Sequence, residues 1–537
     1  MSSASAPDLY DVAVIGSGFG GAIPAYRLAA AGQRVVILER GPHLTAADFS
    51  HDLRLGTFSR IVDAIKGDGM TVVAGNCVGG SSVVYFAASL RAPAFAFERM
   101  GGTGRRLWPV AITRQSLDPY YDLVEQTLPV ATQTWNDVSY AGGLFAAACR
   151  HTGHTANPIP VAVDLATCTN CNWMLSGCRF DAKRSLLLNY LPAATAHGAE
   201  IRALHEVQVI TPATTPGYRY RVAYTTVDST DYRQPTGAGC VEARTIVLAA
   251  GAVGTPVILR RSAPFLGPMP AAVGRYLSGN GDRVYLATVN ERNAEAVLGL
   301  RRSATTAYEA HHIGKAINTM TYDYLDPTLT EHHRAGFQQI ALPAVTNLLA
   351  AAPAWYGVEK KTLRARWRSW LTLLAMTEEN GTGVFGEPPL SGSFTRIGPG
   401  LGLGHFGYRP DVATTAGWRQ ADQRLGSILE PDGVATVEPW SSDPGGVVTA
   451  HPLGSCRLGE DPLTSALTAE HELRGHPNLF VTDGSAVPTA LTVNPSLTIA
   501  ALAERASGHL VRRLRRPPPP LVQGEISTPS GAVVTVR

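Results

Sequence analysis

The chain has 537 residues, long enough for roughly two to four domain-sized units. Hydrophobic residues make up 45% and charged residues 17%, which supplies a packed core and excludes a coiled coil or an acidic disordered chain. Lys+Arg 46 against Asp+Glu 43 leaves a net charge of +3, too even for a dedicated nucleic-acid binder.

Gly 54 and Pro 37 imply many tight turns and close backbone approaches. No apolar run reaches the roughly 18 residues of a transmembrane helix. Met1 to Leu9 lacks a basic stretch followed by an apolar one, so no secretory signal is expected. The seven cysteines are thinly spread and expected to be reduced, in the cytoplasm. No internal repeat is present.

Tyr10 to Ile15 reads as a buried parallel strand. Gly16-Ser17-Gly18-Phe19-Gly20-Gly21 follows with G-x-G-x-x-G spacing, then a helix from Ala22 to Ala31 closed by Gly32, then a strand, Val35 to Leu38, ending at Glu39-Arg40. Gly16 permits the tight turn, Gly18 lets a pyrophosphate approach the backbone, and Gly21 lets helix and strand pack closely. The helix N-terminus offers N–H groups and a positive dipole end, and Glu39 stands where a carboxylate accepts hydrogen bonds from an adenosine ribose. Gly16, Gly18, Phe19, Gly20, Gly21, Glu39 and Arg40 are therefore candidate cofactor-binding residues, with NAD and FAD both open at this point.

A second glycine-rich loop, Ala74 to Tyr85, contributes Gly75, Gly79, Gly80, Ser81 and Ser82 as candidates, because such loops expose backbone N–H groups. Trp108 to Val110 reads as a loop, and a helix is expected with Asp118 as N-cap and Pro119 at its first position. His151, His154, Cys168 and Cys171, with Cys178 beyond, have metal-like spacing. Thr245 to Pro256 is another buried strand running into a glycine turn, with Ala250 and Gly251 as candidates. Val273 to Asp282 is turn-rich and returns the chain toward the cofactor.

In the middle, Tyr322, Tyr324, Phe337, Trp355, Trp367, Trp370, Phe385, Phe394 and Phe406 read as core. Glu378 and Glu379 are weak candidates for an extra acid–base step and otherwise exposed loop carboxylates. The arginine runs 364–368 and 512–516 read as solvated helix faces. Near the end come His451-Pro452-Leu453-Gly454, then Leu479 to Ser485 as a strand ending in Asp483-Gly484, then Asn494-Pro495-Ser496-Leu497-Thr498. His471 and His476 read as surface loop residues. Pro517 to Pro520 reads as an extended arm. Cofactor-like strand ends at both termini and in the middle favour a long cofactor laid across a discontinuous domain.

These motifs, in this order, resemble the glucose–methanol–choline (GMC) oxidoreductases and, among them, the cholesterol-oxidase-like branch. The resemblance rests on the N-terminal fingerprint, on Val78 to Ser82, on Val247 to Pro256, and most specifically on His451 to Cys456, Val481 to Ser485, Asn494 to Ile499 and Ala503 to Arg505. It implies an α/β fold: a discontinuous Rossmann-like FAD-binding domain (8–92, 185–284, 442–514), an interleaved α+β substrate domain with an antiparallel sheet (93–184, 285–441), and a C-terminal arm (515–537). It implies FAD as cofactor, non-covalent because no His lies in the second glycine loop, with Asp483, Gly484, Asn494, Pro495, Ser496 and Thr498 added to the cofactor-binding set. It implies His451 and Asn494 as the catalytic pair. Related flavoenzymes carry a Cys-rich loop and a Gly-Cys before a Lys, here Gly177-Cys178 and Lys183, so the cysteine cluster is expected to be a packed loop without metal.

The implied activity is oxidation of an alcohol CH–OH group. Flavin takes the hydride, a neutral imidazole takes the proton, and a carboxamide offers both a donor and an acceptor to the hydroxyl. The implied partners are a sterol-like, sugar-like or specialised-metabolite alcohol, and oxygen or another electron acceptor. The competing readings are a nicotinamide-dependent dehydrogenase and a flavoprotein catalysing a non-redox isomerisation.

Overall fold

The structure, a computed structural model, describes residues 7–50, 60–300, 315–341, 369–398, 400–440 and 446–514, and the backbone of 524–527 and 533–536. The run 364–368, Trp355, Trp367, Arg515, Arg516 and Pro517 to Pro520 lie outside the described residues.

The longest strand, Pro235–Leu248, organises the first sheet. Its apolar second half pairs in parallel with Asp8–Ile15, from Asp8 opposite Val241 to Ile15 opposite Leu248. Val35–Leu38 and then Glu200–Arg202 extend the parallel edge, and Leu479–Val481 adds in parallel on the other side. Val12, Val14, Val35, Val36, Val247 and Leu248 have no exposed surface. Near-continuous β-branched runs form strands here because helices cover both faces of a parallel sheet. The polar first half of Pro235–Leu248 instead pairs antiparallel with Tyr220–Val227, which in turn pairs antiparallel with His205–Pro212.

Helix α1 (Phe19–Ala30) crosses from the first strand to the second. It begins three residues before the expected start, because Gly20 and Gly21 wind into its first turn. Gly32, at φ +77°, closes it as expected. Helix α2 (Arg114–Thr127) corrects the expected N-cap. Thr113 caps it, accepting from the Ser116 amide at 3.0 Å, while the Ser116 hydroxyl accepts from the Thr113 amide at 2.8 Å. This reciprocal pair starts the helix five residues early and leaves Pro119 inside it; Asp118 instead pairs with Arg91 and Arg114. Helix α3 (Gly251–Leu266) follows the long strand, and α4 (Ser496–Arg513) packs on α1, where Arg27 and Glu504 form a two-pronged ion pair at 2.8 and 2.9 Å.

A second sheet contains Val62–Asp68, Met70–Gly75, Arg275–Leu277, Gly383–Phe385, Thr395–Gly398, Leu401–Gly407 and Val447–Thr449. The 285–441 segment is thus divided: its residues 383–407 pair with the early strands, and the remaining strands build a third sheet. That sheet is antiparallel, in the order Ala435–Pro439, Asp282–Val289, Trp370–Thr377, Ala335–Ile340, Ile317–Thr321, Asn157–Pro158.

Alternation along its strands sends Tyr285, Phe337, Leu371 and Leu373 to one core with helical residues such as Phe145 and Leu425. Met320, Ile340, Leu374 and Met376 join the large core that also holds the first sheet. The third sheet therefore lies over the nucleotide-type fold with an apolar face inward. Of the expected core aromatics, Phe337, Trp370, Phe385, Phe394 and Phe406 are buried, whereas Tyr322 is 38% exposed.

His471 and His476 correct the surface reading. Both are buried, His471 fully. His471 bonds the Val481 carbonyl through Nδ1 at 2.9 Å and His476 the Pro268 carbonyl through Nε2 at 3.1 Å. They look like loop residues in sequence because they lie between turns, but those turns fold under the end of the Leu479–Val481 strand.

Candidate active site

Two glycine loops meet at the C-terminal edge of the first sheet. Gly16 has φ +96°, and a Cβ there would lie 2.3 Å from the Ala249 carbonyl oxygen. A Cβ on Gly21 would lie 2.0 Å from the Gly16 oxygen, and one on Gly20 2.7 Å from the Thr482 oxygen. These glycines make strand, helix and returning chain pack. Gly18 differs: a Cβ there meets nothing within 4 Å. No side chain caps α1, and the Gly21 and Ala22 amides turn back to the Gly18 carbonyl at 2.9 and 2.8 Å. Gly80 of the second loop brings its own Cβ direction within 3.0 Å of the Gly18 Cα.

Ser17 joins the two loops. Its hydroxyl donates to Glu39 Oε2 at 2.7 Å and accepts the Gly79 amide at 2.9 Å. Glu39 also accepts the Ser17 amide at 3.0 Å and, through Oε1, the Gly41 amide at 2.9 Å. A carboxylate has about four acceptor positions, so Glu39 keeps one for a ligand. Arg40 turns away, to Asn76 at 2.9 Å and Asp63 at 2.7 Å. The Ser81 hydroxyl accepts the Gly75 amide at 3.0 Å; that of Ser82 donates to the Gly79 carbonyl at 2.7 Å and accepts the Leu186 amide at 3.1 Å. Both shape the loop.

Asp483 ties the long strand's end to the closing region. It accepts from the Gly251 amide (2.8 Å), the Thr255 hydroxyl (2.6 Å), and the Ser485 amide (2.9 Å) and hydroxyl (2.5 Å). Burial pushes its carboxyl above the ordinary range, against the pull of these bonds. Ala250 caps α3, and Gly251 has φ +79° with open space at its Cβ position. Gly484 then backs onto the His451 turn: its carbonyl accepts the Gly454 amide at 3.1 Å.

At that turn five polar side chains are linked. His451 Nδ1 lies 2.9 Å from both carboxylate oxygens of Asp282. The Thr449 hydroxyl donates to Asp282 Oδ2 at 2.8 Å and accepts the His451 amide at 2.8 Å. His451 Nε2 lies 3.3 Å from Asn494 Nδ2, and Asn494 Oδ1 accepts from Gln338 Nε2 at 2.7 Å. An ionised Asp282 only accepts, so it holds the proton of a neutral imidazole on Nδ1 and leaves the Nε2 lone pair facing Asn494.

The frame around this chain is rigid. Asn280, at φ +61°, donates through Nδ2 to the Val493 carbonyl at 3.0 Å and accepts the Leu491 amide at 2.7 Å. It thereby fixes the Asp282 turn against the Asn494 turn.

Asn494, Pro495, Ser496 and Thr498 run directly into α4, which no side chain caps. The Thr498 hydroxyl is spent on Tyr121 at 2.8 Å, and that of Ser496 on the Ala88 carbonyl at 3.3 Å.

Glu378 and Glu379 correct the reading of exposed loop carboxylates: both are buried. Glu378 holds Arg334 at 3.0 Å and the His332 amide at 2.7 Å. Glu379 accepts the Gly279 and Gly281 amides at 2.7 and 3.0 Å and the Tyr408 hydroxyl at 2.9 Å, bracing the Asp282 turn. Burial raises its pKa.

The histidines and cysteines of the metal-like run separate. His151 pairs with Asp432 at 2.8 Å and His154 with Asp323 at 3.4 Å, whereas Cys168, Cys171 and Cys178 line a small cleft with Lys183. Among the described residues no group of three or more His, Cys, Asp or Glu is placed to hold a metal ion, and all seven cysteines are unpaired. Lys183, pushed down to about 7 by burial, donates to the Val83, Tyr85 and Met174 carbonyls.

Sequence reasoning missed Asp282, Thr449, Asn280 and Gln338. The signals were faint: a Gly-Asn-Gly-Asp turn, and a Gln-Gln pair inside an otherwise apolar strand.

Open space at the Gly18 Cβ position and a spare acceptor on Glu39 would fit a dinucleotide, and an imidazole–carboxamide couple lies at the His451 turn. Comparison with known proteins agrees. The family models for the N-terminal and C-terminal parts of GMC oxidoreductases match residues 14–279 and 413–503. The chain belongs to the GMC oxidoreductase family, whose cofactor is FAD. It is similar to a cholesterol oxidase of Mycobacterium tuberculosis, 28% identical over 557 aligned positions that cover 93% of this chain and 91% of the relative. It also resembles a 2-methyl-1,2-propanediol dehydrogenase of Mycolicibacterium austroafricanum (26%, covering 94% and 96%) and the long-chain-alcohol oxidase FAO1 of Arabidopsis thaliana (24%, covering 94% and 67%). The protein is an FAD-dependent enzyme of alcohol oxidation. Among the described residues no helix is long and apolar enough to cross a membrane.

Proposed function

We propose that this enzyme oxidises a hydrophobic alcohol, with His451 as the base for its hydroxyl proton, Asn494 holding the hydroxyl oxygen, and Asp282 stabilising the imidazolium that forms. FAD is held non-covalently by the Gly18–Gly20 amides, Glu39, the Gly79–Gly80 turn and the start of α4, and supplies the hydride acceptor. The α4 N-terminus, directly after Asn494, favours negative charge at that end.

The observation that carries this reading is the Asp282–His451–Asn494 chain. It leaves an Nε2 lone pair and an Nδ2–H side by side. A substrate hydroxyl between them donates to the first and accepts from the second. The sterol and long-chain-alcohol substrates named for two relatives support a hydrophobic substrate. Both carboxylates considered for an accompanying isomerisation, Glu378 and Glu379, are committed to structural bonds, which favours oxidation alone.

The test is anaerobic mixing of the yellow holoenzyme with cholesterol, 1-dodecanol and 2-methyl-1,2-propanediol, following flavin bleaching. At least one hydrophobic alcohol should bleach it, and His451→Ala should slow bleaching by roughly two to four orders of magnitude. An unchanged rate removes His451 from the mechanism. Hydrogen peroxide formed on admitting air would identify oxygen as the acceptor.

A further inference from the structure

Gln338 lies on the Ala335–Ile340 strand, every residue of which is buried. It is a long polar side chain with no exposed surface in an apolar setting. Its Nε2 is 2.7 Å from Asn494 Oδ1 and 3.1 Å from the Met320 sulfur. Among the described residues no donor reaches its Oε1. Buried polar atoms are normally satisfied, and a Met or Leu would fill this site without stranding a carbonyl. The residue spends stability to place one N–H beside Asn494.

A carboxamide has a donor end and an acceptor end that are nearly alike in shape, so something must choose which faces His451. From one side, the Asp282 carboxylate fixes the imidazole proton on Nδ1, and the bare Nε2 then asks for a donor. From the other side, the Met320 sulfur, which can only accept, favours the NH2 end of Gln338 at this point, so Gln338 presents a donor to Asn494 Oδ1. The two ends agree on one orientation, with Nδ2–H toward Nε2. Without Gln338, Asn494 can turn its oxygen to His451, which favours a proton on Nε2 and removes the base.

We infer that Gln338 is a positioning residue for the reaction: its N–H locks the Asn494 carboxamide in the orientation that keeps His451 Nε2 unprotonated and the Asn494 N–H available to the substrate hydroxyl. This rests on the His451–Asn494 reading above. It makes the site a hydrogen-bond relay of defined direction, from Gln338 through Asn494 to His451 and from His451 to Asp282, with both ends on strands of the third sheet.

Gln338→Glu tests it. An ionised carboxylate there cannot donate to Asn494 Oδ1, whereas a protonated one can. Burial disfavours the charged form and moves this carboxyl's titration upward. The variant's flavin-reduction rate, measured anaerobically with whichever panel alcohol bleaches the native enzyme fastest, should fall as pH rises through that titration, opposite to the trend of the native base. Gln338→Met removes the donor without charge and should lower the rate about tenfold, the worth of one hydrogen bond, with little change in substrate affinity.

A readout independent of turnover is the imidazole of His451 in holoenzyme labelled with 15N-histidine and assigned by difference from His451→Ala. The native protein should show the Nδ1–H form at neutral pH, and Gln338→Glu a proton on Nε2 once the pH is above the titration of the introduced carboxyl. Variants with native profiles, rates within twofold and an unchanged tautomer would overturn the inference. If His451→Ala and Asn494→Ala slow reduction while both Gln338 variants do not, only this inference fails. If none of them matters, the base assignment itself is wrong and takes this inference with it.

Discussion

Replacing Asp282 with Asn separates the charge behind His451 from the shape that holds it. Asn matches Asp in size, so the Thr449 and Asn280 contacts persist. The Thr449 hydroxyl takes the His451 amide and presents its proton to the 282 side chain, so the carboxamide oxygen of the variant goes to Thr449. Its NH2 then faces His451 Nδ1, which must accept. That moves the imidazole proton to Nε2, where the substrate hydroxyl needs a lone pair.

A second loss adds to this. Asp282 is 3% and His451 15% exposed at the side chain, so the pair is poorly screened. Two unit charges about 4 Å apart at an effective dielectric near 20 attract by about 4 kcal/mol, or roughly a thousandfold in the rate of forming the imidazolium. The expected result for Asp282→Asn is a fall of about three orders of magnitude in anaerobic flavin reduction, with flavin content and melting temperature near native. A reduction rate within threefold of native in a fully flavinylated variant would refute the reasoning.

Other expectations follow from the same geometry. Gly18→Ala should fold with near-native stability, because the added methyl meets no protein atom, yet bind FAD poorly because it occupies the phosphate approach. Gly21→Ala should fail to fold, because its Cβ would sit 2.0 Å from a backbone oxygen. Absorbance of bound flavin beside circular dichroism separates the two outcomes. Burial and the Arg505 charge push His471 down to about 3. Its unfolded value is near 6.5, so the unfolded chain takes up a proton first as pH falls. The stability due to neutral His471 is therefore complete above about pH 6.5 and is lost progressively toward pH 3, roughly 2 kcal/mol by pH 5. Melting curves of native protein and His471→Gln between pH 7 and 5 should converge, and parallel curves would exclude His471 as the titrating group.

Much of the cofactor half was legible in the chain because its rules are local. Gly16, Gly18 and Gly21 announce a turn, an approach and a close packing by spacing alone, and the β-branched runs around them can only be buried strands. α2 was misplaced for a local reason too: Asp118-Pro119 is a strong start signal, but the Thr113–Ser116 cap precedes it and wins. His471, His476, Glu378 and Glu379 were misread because burial is not local. Polar residues between turns look exposed until another element covers them and supplies partners.

The order of residues by itself marked the glycine loops and the two side chains, His451 and Asn494, that the family order points to. What tertiary structure alone decided was which groups face them. Asp282 lies 169 positions from His451 and Gln338 156 from Asn494. Hydrogen-bond direction depends on contacts of about 3 Å between strands of the third sheet and two distant turns that only the folded chain brings together.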